Sequence, residues 1–221
     1  MTEAQWLSCS RLATMVQFLA QPSSERKPRL AACAWMRDVW ESLKWKASRE
    51  AVEVSERFAD GCATPQELQD AAAQALVTAN RVVQAEREGK VSQGERGVAR
   101  AAHATCTRVI RLVWPEVLTL LKSSFRRSGW HYRRWEELLR DIFGNPFRIP
   151  RIDPAWQIWN EATIPRLAQA IYDERAFDRL PILADALEEA GCTDAVILAH
   201  CRQPGEHVRG CWVVDLLLGK S

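Results

Sequence analysis

No apolar run in the 221 residues of this chain approaches the roughly 18 that a membrane-spanning helix requires, so the sequence offers no bilayer segment. The opening residues MTEAQWLSCSRLATMVQFL carry an acid and interior polar groups where a secretory signal would be basic and then apolar, which predicts a cytoplasmic protein. Net charge is also small: 30 basic against 28 acidic residues leave a formal +2, so any argument for nucleic acid or another polyanion has to be local. Signature motifs are missing as well. There is no nucleophile elbow, no Gly-rich phosphate loop, no paired-histidine metalloprotease helix and no dinucleotide fingerprint. Catalysis is therefore the least supported class, and no residue is assigned a catalytic role.

What is present is the material of an ordinary core. Apolar residues make up 47% and charged residues 26%, which excludes a disordered or fibrous chain, and the length suffices to bury a core without staples. The seven cysteines are odd in number and scattered through helical-looking segments, which predicts reduced thiols that act mostly as small buried hydrophobes. Ten tryptophans supply large amphipathic rings, which serve both cores and contact surfaces.

Periodicity predicts helices throughout. Thr2 with Gln5 opens one that runs to residue 19, a second spans Pro28 to Trp45, and a third spans Ser48 to Ala59. Thr64-Pro65-Gln66-Glu67 is the sharpest start: Thr caps, Pro loses nothing at the first helical position, and Glu reaches back. An alanine-rich helix follows to Arg87. Ser92 and Glu95 open the next, with Gly94 and Gly97 weakening its first turns. Pro115 restarts the chain, and another helix covers Trp130 to Phe143. After the break Gly144-Asn145-Pro146, Pro150 and Pro154 mark a crossing over 144–163. Beyond it Asp178 is the expected cap of a helix carrying Leu180, Leu183, Ala184 and Leu187, Thr193 caps a short one, and residues 208–218 form a last apolar element, read as helix because no partner strand exists. The expected fold is all-α, an orthogonal or bundle-like array of about ten helices. Its divisions are an N-terminal helical domain over 1–143, a packed Pro-rich linker over 144–163 and a C-terminal helical cap over 164–221, with one continuous domain as the alternative. No repeat of a period that would build a solenoid is visible.

The segments TEAQWLSCS, AVEVSERFADG, DIFGNPFR, AIYDERAFDRLPILADALEEAGC and HCRQPGEHVRGCWVVDLLLGK resemble a large paralogous family of uncharacterised planctomycete proteins. The resemblance covers both ends of the chain, and the tail is its specific part. It implies a bacterial, cytosolic origin and brings no activity, cofactor or residue role.

Four groups of residues are candidates for function. Cys192, Cys201, His207 and Cys211, with His200 beside them, carry the thiolates and imidazoles that zinc prefers, although their irregular spacing lacks the Cys-x2-Cys knuckle. The bland alternative is buried cysteines with histidines at helix ends. Arg126, Arg127, Trp130, His131, Tyr132, Arg133, Arg134, Arg140, Arg148 and Arg151 form a basic aromatic stretch suited to single-stranded nucleic acid or another polyanion. Its bland alternative is an amphipathic helix whose arginines pair with Glu136, Glu137 and Asp141. Trp35, Trp45, Trp156 and Trp159 fall on no clean apolar stripe and are offered as interface residues. The carboxylates Asp173, Glu174, Asp178, Asp185, Glu188 and Glu189 cluster in sequence but are better explained as caps and helix ends. The leading expectation is a helical protein-interaction module, an adaptor or accessory subunit without catalytic activity. Nucleic-acid binding through 122–151 and a zinc-stabilised C-terminal module are the alternatives.

Overall fold

A computed structural model describes residues 1–19, 24–125, 129–148 and 150–220, including every side chain among them except those of residues 111 and 129–131. Among the described residues the chain is all-α, with no strand. The helices are α1 Glu3–Ser8, α2 Leu12–Leu19, α3 Arg26–Asp38, α4 Lys46–Ala59, α5 Pro65–Arg87, α6 Gln93–Thr105, α7 Trp114–Ser124, α8 Gly129–Phe143, α9 Pro154–Glu174, α10 Leu180–Glu189, α11 Ala195–Arg202 and α12 Trp212–Leu217. The chain divides into two compact units, Ser8–Glu137 and Met1–Leu7 with Leu138–Ser221. The division falls inside α8 and not at the Gly144-Asn145-Pro146 break, because Trp156 from the Pro-rich crossing packs into the core of the second unit.

In the Ser8–Glu137 unit, α3, α4, α5, α6 and α7 each pack on the next. The capping boxes form as their sequences require: the Glu67 amide donates to Thr64 Oγ1 at 3.1 Å, the Thr64 amide donates back to Glu67 at 2.7 Å, and Ser92 and Glu95 repeat the exchange. Gly97 has a packing reason. A Cβ there would lie 3.0 Å from the Leu120 carbonyl oxygen and 2.1 Å from Ser124 Oγ, so the close approach of α6 to α7 requires glycine. The stripe reading put Trp35 at a contact surface, but it is fully buried, stacked on Trp114 with ring centroids 5.9 Å apart and planes 8° from parallel.

Two expected caps move by one residue, to Arg179 and Asp194. Asp178 sits within a 3-10 turn, Phe177–Arg179, and α10 begins at Leu180 with Pro181 in its first turn. The cap of α11 is Asp194, whose carboxylate accepts from the Val196 and Ile197 amides at 2.8 and 3.3 Å, where a negative charge also opposes the helix dipole.

The second unit is built around Ile164, Ile171, Leu183, Leu187, Val213 and Val214, all fully buried. Each such side chain contributes about 1.5–3 kcal/mol of transfer free energy. The N-terminal α1 belongs here: Trp6 is buried, its Nε1 donates to the Gly144 carbonyl at 3.0 Å, and Glu3 pairs with Arg148 at 2.7 Å. Gly144 adopts φ +61, and a Cβ on it would lie 2.9 Å from the Trp212 ring. Only glycine lets the end of α8 turn left-handed while the indole lies flat against it. Within α9, Asn160, Glu161 and Ala162 all have positive φ, so the helix is interrupted and restarts near Thr163 with Pro165 in its first turn.

Candidate metal centre

Four buried side chains meet inside the second unit: Asp141 near the end of α8, His200 on α11, His207 in the turn that follows it, and Cys211, which caps α12. One ligand atom from each lies within 4.8 Å of all the others. His207 Nδ1 is 2.6 Å from Asp141 Oδ1, His200 Nε2 is 3.2 Å from the same oxygen and 3.2 Å from Cys211 Sγ, and Sγ is 4.0 Å from His207 Nδ1. The second carboxylate oxygen, Oδ2, accepts the Val208 amide at 2.9 Å, so the carboxylate is held with Oδ1 toward the group. The Trp212 ring covers His200 at a centroid distance of 5.0 Å.

Local sequence explains how these residues reach one point. His200 and Cys201 are neighbours on α11 and point about 100° apart, so when Cys201 faces the apolar core, His200 faces α8 and α12. The turn Gln203-Pro204-Gly205 then brings the chain back, and Cys211 leads into α12.

Burial alone would raise the Asp141 carboxyl, but hydrogen bonds from His200 and His207 outweigh it and hold the group below its ordinary range. The Cys211 thiol goes the other way. Burial pushes it well above its ordinary value, the Asp141 charge adds to this, and the Val214 and Val213 amides at the start of α12 oppose it. A divalent cation would reverse that balance, since thiolate, carboxylate and neutral imidazole are the forms that bind metal.

The geometry discriminates between a catalytic relay and a common centre. In a Cys–His–Asp relay the thiol addresses one imidazole nitrogen and the carboxylate holds the other. Here Asp141 and Cys211 both converge on Nε2 of His200, and Nδ1 of His207 faces both of them in turn. No ring relays between nucleophile and acid; all four donors surround one point. Bonds of about 2.0 to 2.3 Å in a tetrahedron place ligand atoms about 3.3–3.7 Å apart. Separations of 3.2, 3.2 and 4.0 Å bracket that range, the 2.6 Å His207–Asp141 hydrogen bond would have to open, and no pair of the four lies beyond 4.8 Å. His207 Nε2 is buried and has no hydrogen-bond partner, so the polar group does not close within the protein.

Of the residues expected to bind metal, His207 and Cys211 lie in the group, and His200 joins them. Cys192 and Cys201 do not: both are buried in the apolar core, and burial pushes the Cys201 thiol up to about 12. The amphipathic pattern of residues 130–143 pairs Asp141 with arginine, whereas the structure makes it the carboxylate of the buried group. In the basic stretch, Arg134 pairs with Asp38 at 2.6 Å, Arg140 donates to the Trp6 carbonyl, Arg148 pairs with Glu3, and the Tyr132 hydroxyl donates to the Lys122 carbonyl. Arg133 and Arg151 are exposed. Arg126 and Arg127 lie outside the described residues, as do the side chains of Trp130 and His131. The stretch is also divided between the two units, so its arginines do not belong to one face of one body. Of the proposed interface rings, Trp156 is buried like Trp35, whereas Trp45 and Trp159 are half-buried.

A groove of about 490 Å³ between α4 and α5 gathers Glu50, Glu53, Glu67 and Asp70. Three of these four acids are engaged: Glu50 with Lys46, Glu67 with Arg57 and the Thr64 amide, Asp70 with Gln66. Hydrogen bonds from Thr64 hold the Glu67 carboxyl below its ordinary range, which suits a cap and not a general acid. Comparison of the chain with family models, curated proteins and solved structures returned no match.

Proposed function

We propose that the unit of residues 1–7 and 138–221 is a zinc-stabilised, non-catalytic helical module, with Asp141, His200, His207 and Cys211 as the four ligands. The observation that carries this reading is the convergence of four buried donors from four different segments on one point. A site closed by four protein ligands holds structure, whereas a catalytic zinc keeps a position for water. One sulfur, two imidazoles and one carboxylate favour zinc over magnesium or calcium, which prefer all-oxygen shells.

Purified protein is expected to carry one zinc per chain. Cobalt should replace it with a thiolate-to-metal charge-transfer band, and Cys211→Ser should abolish that band. At a free zinc concentration of 100 Kd the metal stabilises the unit by about 2.7 kcal/mol, read as a rise in the urea midpoint. Protein that takes up no zinc or cobalt while its helical content is intact would end the reading.

A second role, docking a protein partner, is supported by Ile158, which is 78% exposed beside half-buried Trp159 at the interruption of α9. A protein that co-purifies with the wild-type chain from its host should be lost with Ile158→Asp. A wild-type chain that captures nothing removes this role.

A further inference from the structure

We propose that the cleft where α5, α6 and the start of α7 meet, about 350 Å³ in volume, binds a free α-amino acid with an aliphatic side chain. The cleft lies wholly within the Ser8–Glu137 unit, so the inference is independent of the zinc reading. Leu76, Ala79, Asn80 and Val83 line it from α5, and Arg100, His103, Ala104 and Thr107 line it from α6 and the residues just after it. Both sets follow the spacing i, i+3, i+4, i+7, so each is one stripe of the chain's helical surface. Facing stripes ordinarily close on one another. Here the two buried alanines, Ala79 and Ala104, leave room between the helices.

The lining matches the parts of a zwitterion. Arg100 and Glu116 stand 3.9 Å apart, beyond hydrogen-bond reach, and both are exposed. Such a pair contributes little to the fold, so its two charges are open to a ligand. A carboxylate alone would meet Arg100 and be repelled by Glu116, and an ammonium alone would meet the reverse; a molecule that carries both satisfies both. The side chains of Asn80, His103 and Thr107 make no hydrogen bond among the described residues and supply further donors and acceptors. Thr107 is held from behind, its carbonyl accepting from Arg29 Nη2 at 2.9 Å. Burial lowers the His103 pKa against the opposing pull of Glu116, so the ring is neutral at pH 7 and the ligand's charges fall to Arg100 and Glu116. Leu76, 44% exposed, forms an apolar wall with Val83 and Val113, which suits an aliphatic side chain.

The test titrates the full chain with L-leucine, with isocaproate, which lacks the ammonium, and with isoamylamine, which lacks the carboxylate. Binding is read from the ring signals of His103 by NMR, assigned through His103→Gln. Leucine should shift them saturably, with a Kd of about 1 mM or tighter. Each analogue should bind about tenfold or more weakly, because it forfeits one hydrogen-bonded charge. Arg100→Ala should weaken leucine and isocaproate about tenfold and leave isoamylamine as tight or tighter, whereas Glu116→Ala should weaken leucine and isoamylamine and spare isocaproate. Both positions are exposed, so both variants should keep the wild-type circular dichroism. The inference is overturned if leucine produces no saturable shift, if either analogue binds as tightly as leucine, or if neither variant changes leucine binding.

Discussion

Replacing Asp141 by alanine is expected to cost the second unit about 3–5 kcal/mol and to abolish zinc uptake. The side chain is 3% exposed and accepts from His207 Nδ1 at 2.6 Å, His200 Nε2 at 3.2 Å and the Val208 amide at 2.9 Å. Truncation leaves these donors buried without an acceptor, and the desolvation cost of such groups exceeds the net worth of the bonds they made. Asp141→Asn keeps one acceptor oxygen, so it should lose less stability and still lose most metal affinity, because the charge is gone. Urea unfolding with chelator present isolates the first effect, and zinc competition isolates the second. An alanine variant that unfolds at the wild-type urea concentration in chelator would show that the carboxylate organises nothing.

The same carboxylate gives a pH dependence with a definite sign. Its folded pKa lies below the unfolded value of about 3.9, so its contribution in metal-free protein is complete above about pH 5. Stability is lost as pH falls through the folded pKa, and Asp141→Asn should remove that part of the acid limb.

Arg29→Met is expected to destabilise the Ser8–Glu137 unit by about 3 kcal/mol. Arg29 is fully buried, and its guanidinium donates to the carbonyls of Thr105, Thr107 and Arg108 at 2.8, 2.9 and 3.0 Å. These oxygens close the C-terminal end of α6, where the helix dipole is negative and the last carbonyls lack partners within the helix. Burial lowers the Arg29 pKa, yet guanidinium starts so high that it stays charged. Methionine matches the stem but leaves the carbonyls dry. Lysine keeps the charge without the planar fork that spans three acceptors, so Arg29→Lys should fall between the two. A methionine variant within about 1 kcal/mol of wild type in urea would mean that the α6 end rearranges and needs no cation.

The three capping boxes, at Thr2, Thr64 and Ser92, were fully legible, because a cap is a contact within three residues and its chemistry is written in order. The same holds for the helix of 212–217, where the absence of any partner strand decided against a sheet. Cap positions at Asp178 and Thr193 were misplaced because several polar residues adjoin each start, and packing chose among them. Arg29 was invisible: on its own helix it reads as an ordinary charged residue, and its acceptors lie more than 70 positions away. Three of the four residues of the buried group, His200, His207 and Cys211, were legible as residue types, because thiols and imidazoles crowd into residues 192–211. Asp141 was hidden among the charged residues of an amphipathic helix, and its one signal was its place in the DIFGNPFR segment beside Gly144.

By itself the sequence determined the all-α class, most helix boundaries and the reduced state of scattered cysteines, since periodicity, caps and breakers act over a turn or two. Only the tertiary structure decided which donors share a centre. On α11 a rotation of about 100° separates a core cysteine from a histidine that faces Asp141 and Cys211, and that carboxylate arrives from 59 residues upstream of His200. Such convergence is set by how α8, α11 and α12 pack, and no local pattern encodes it.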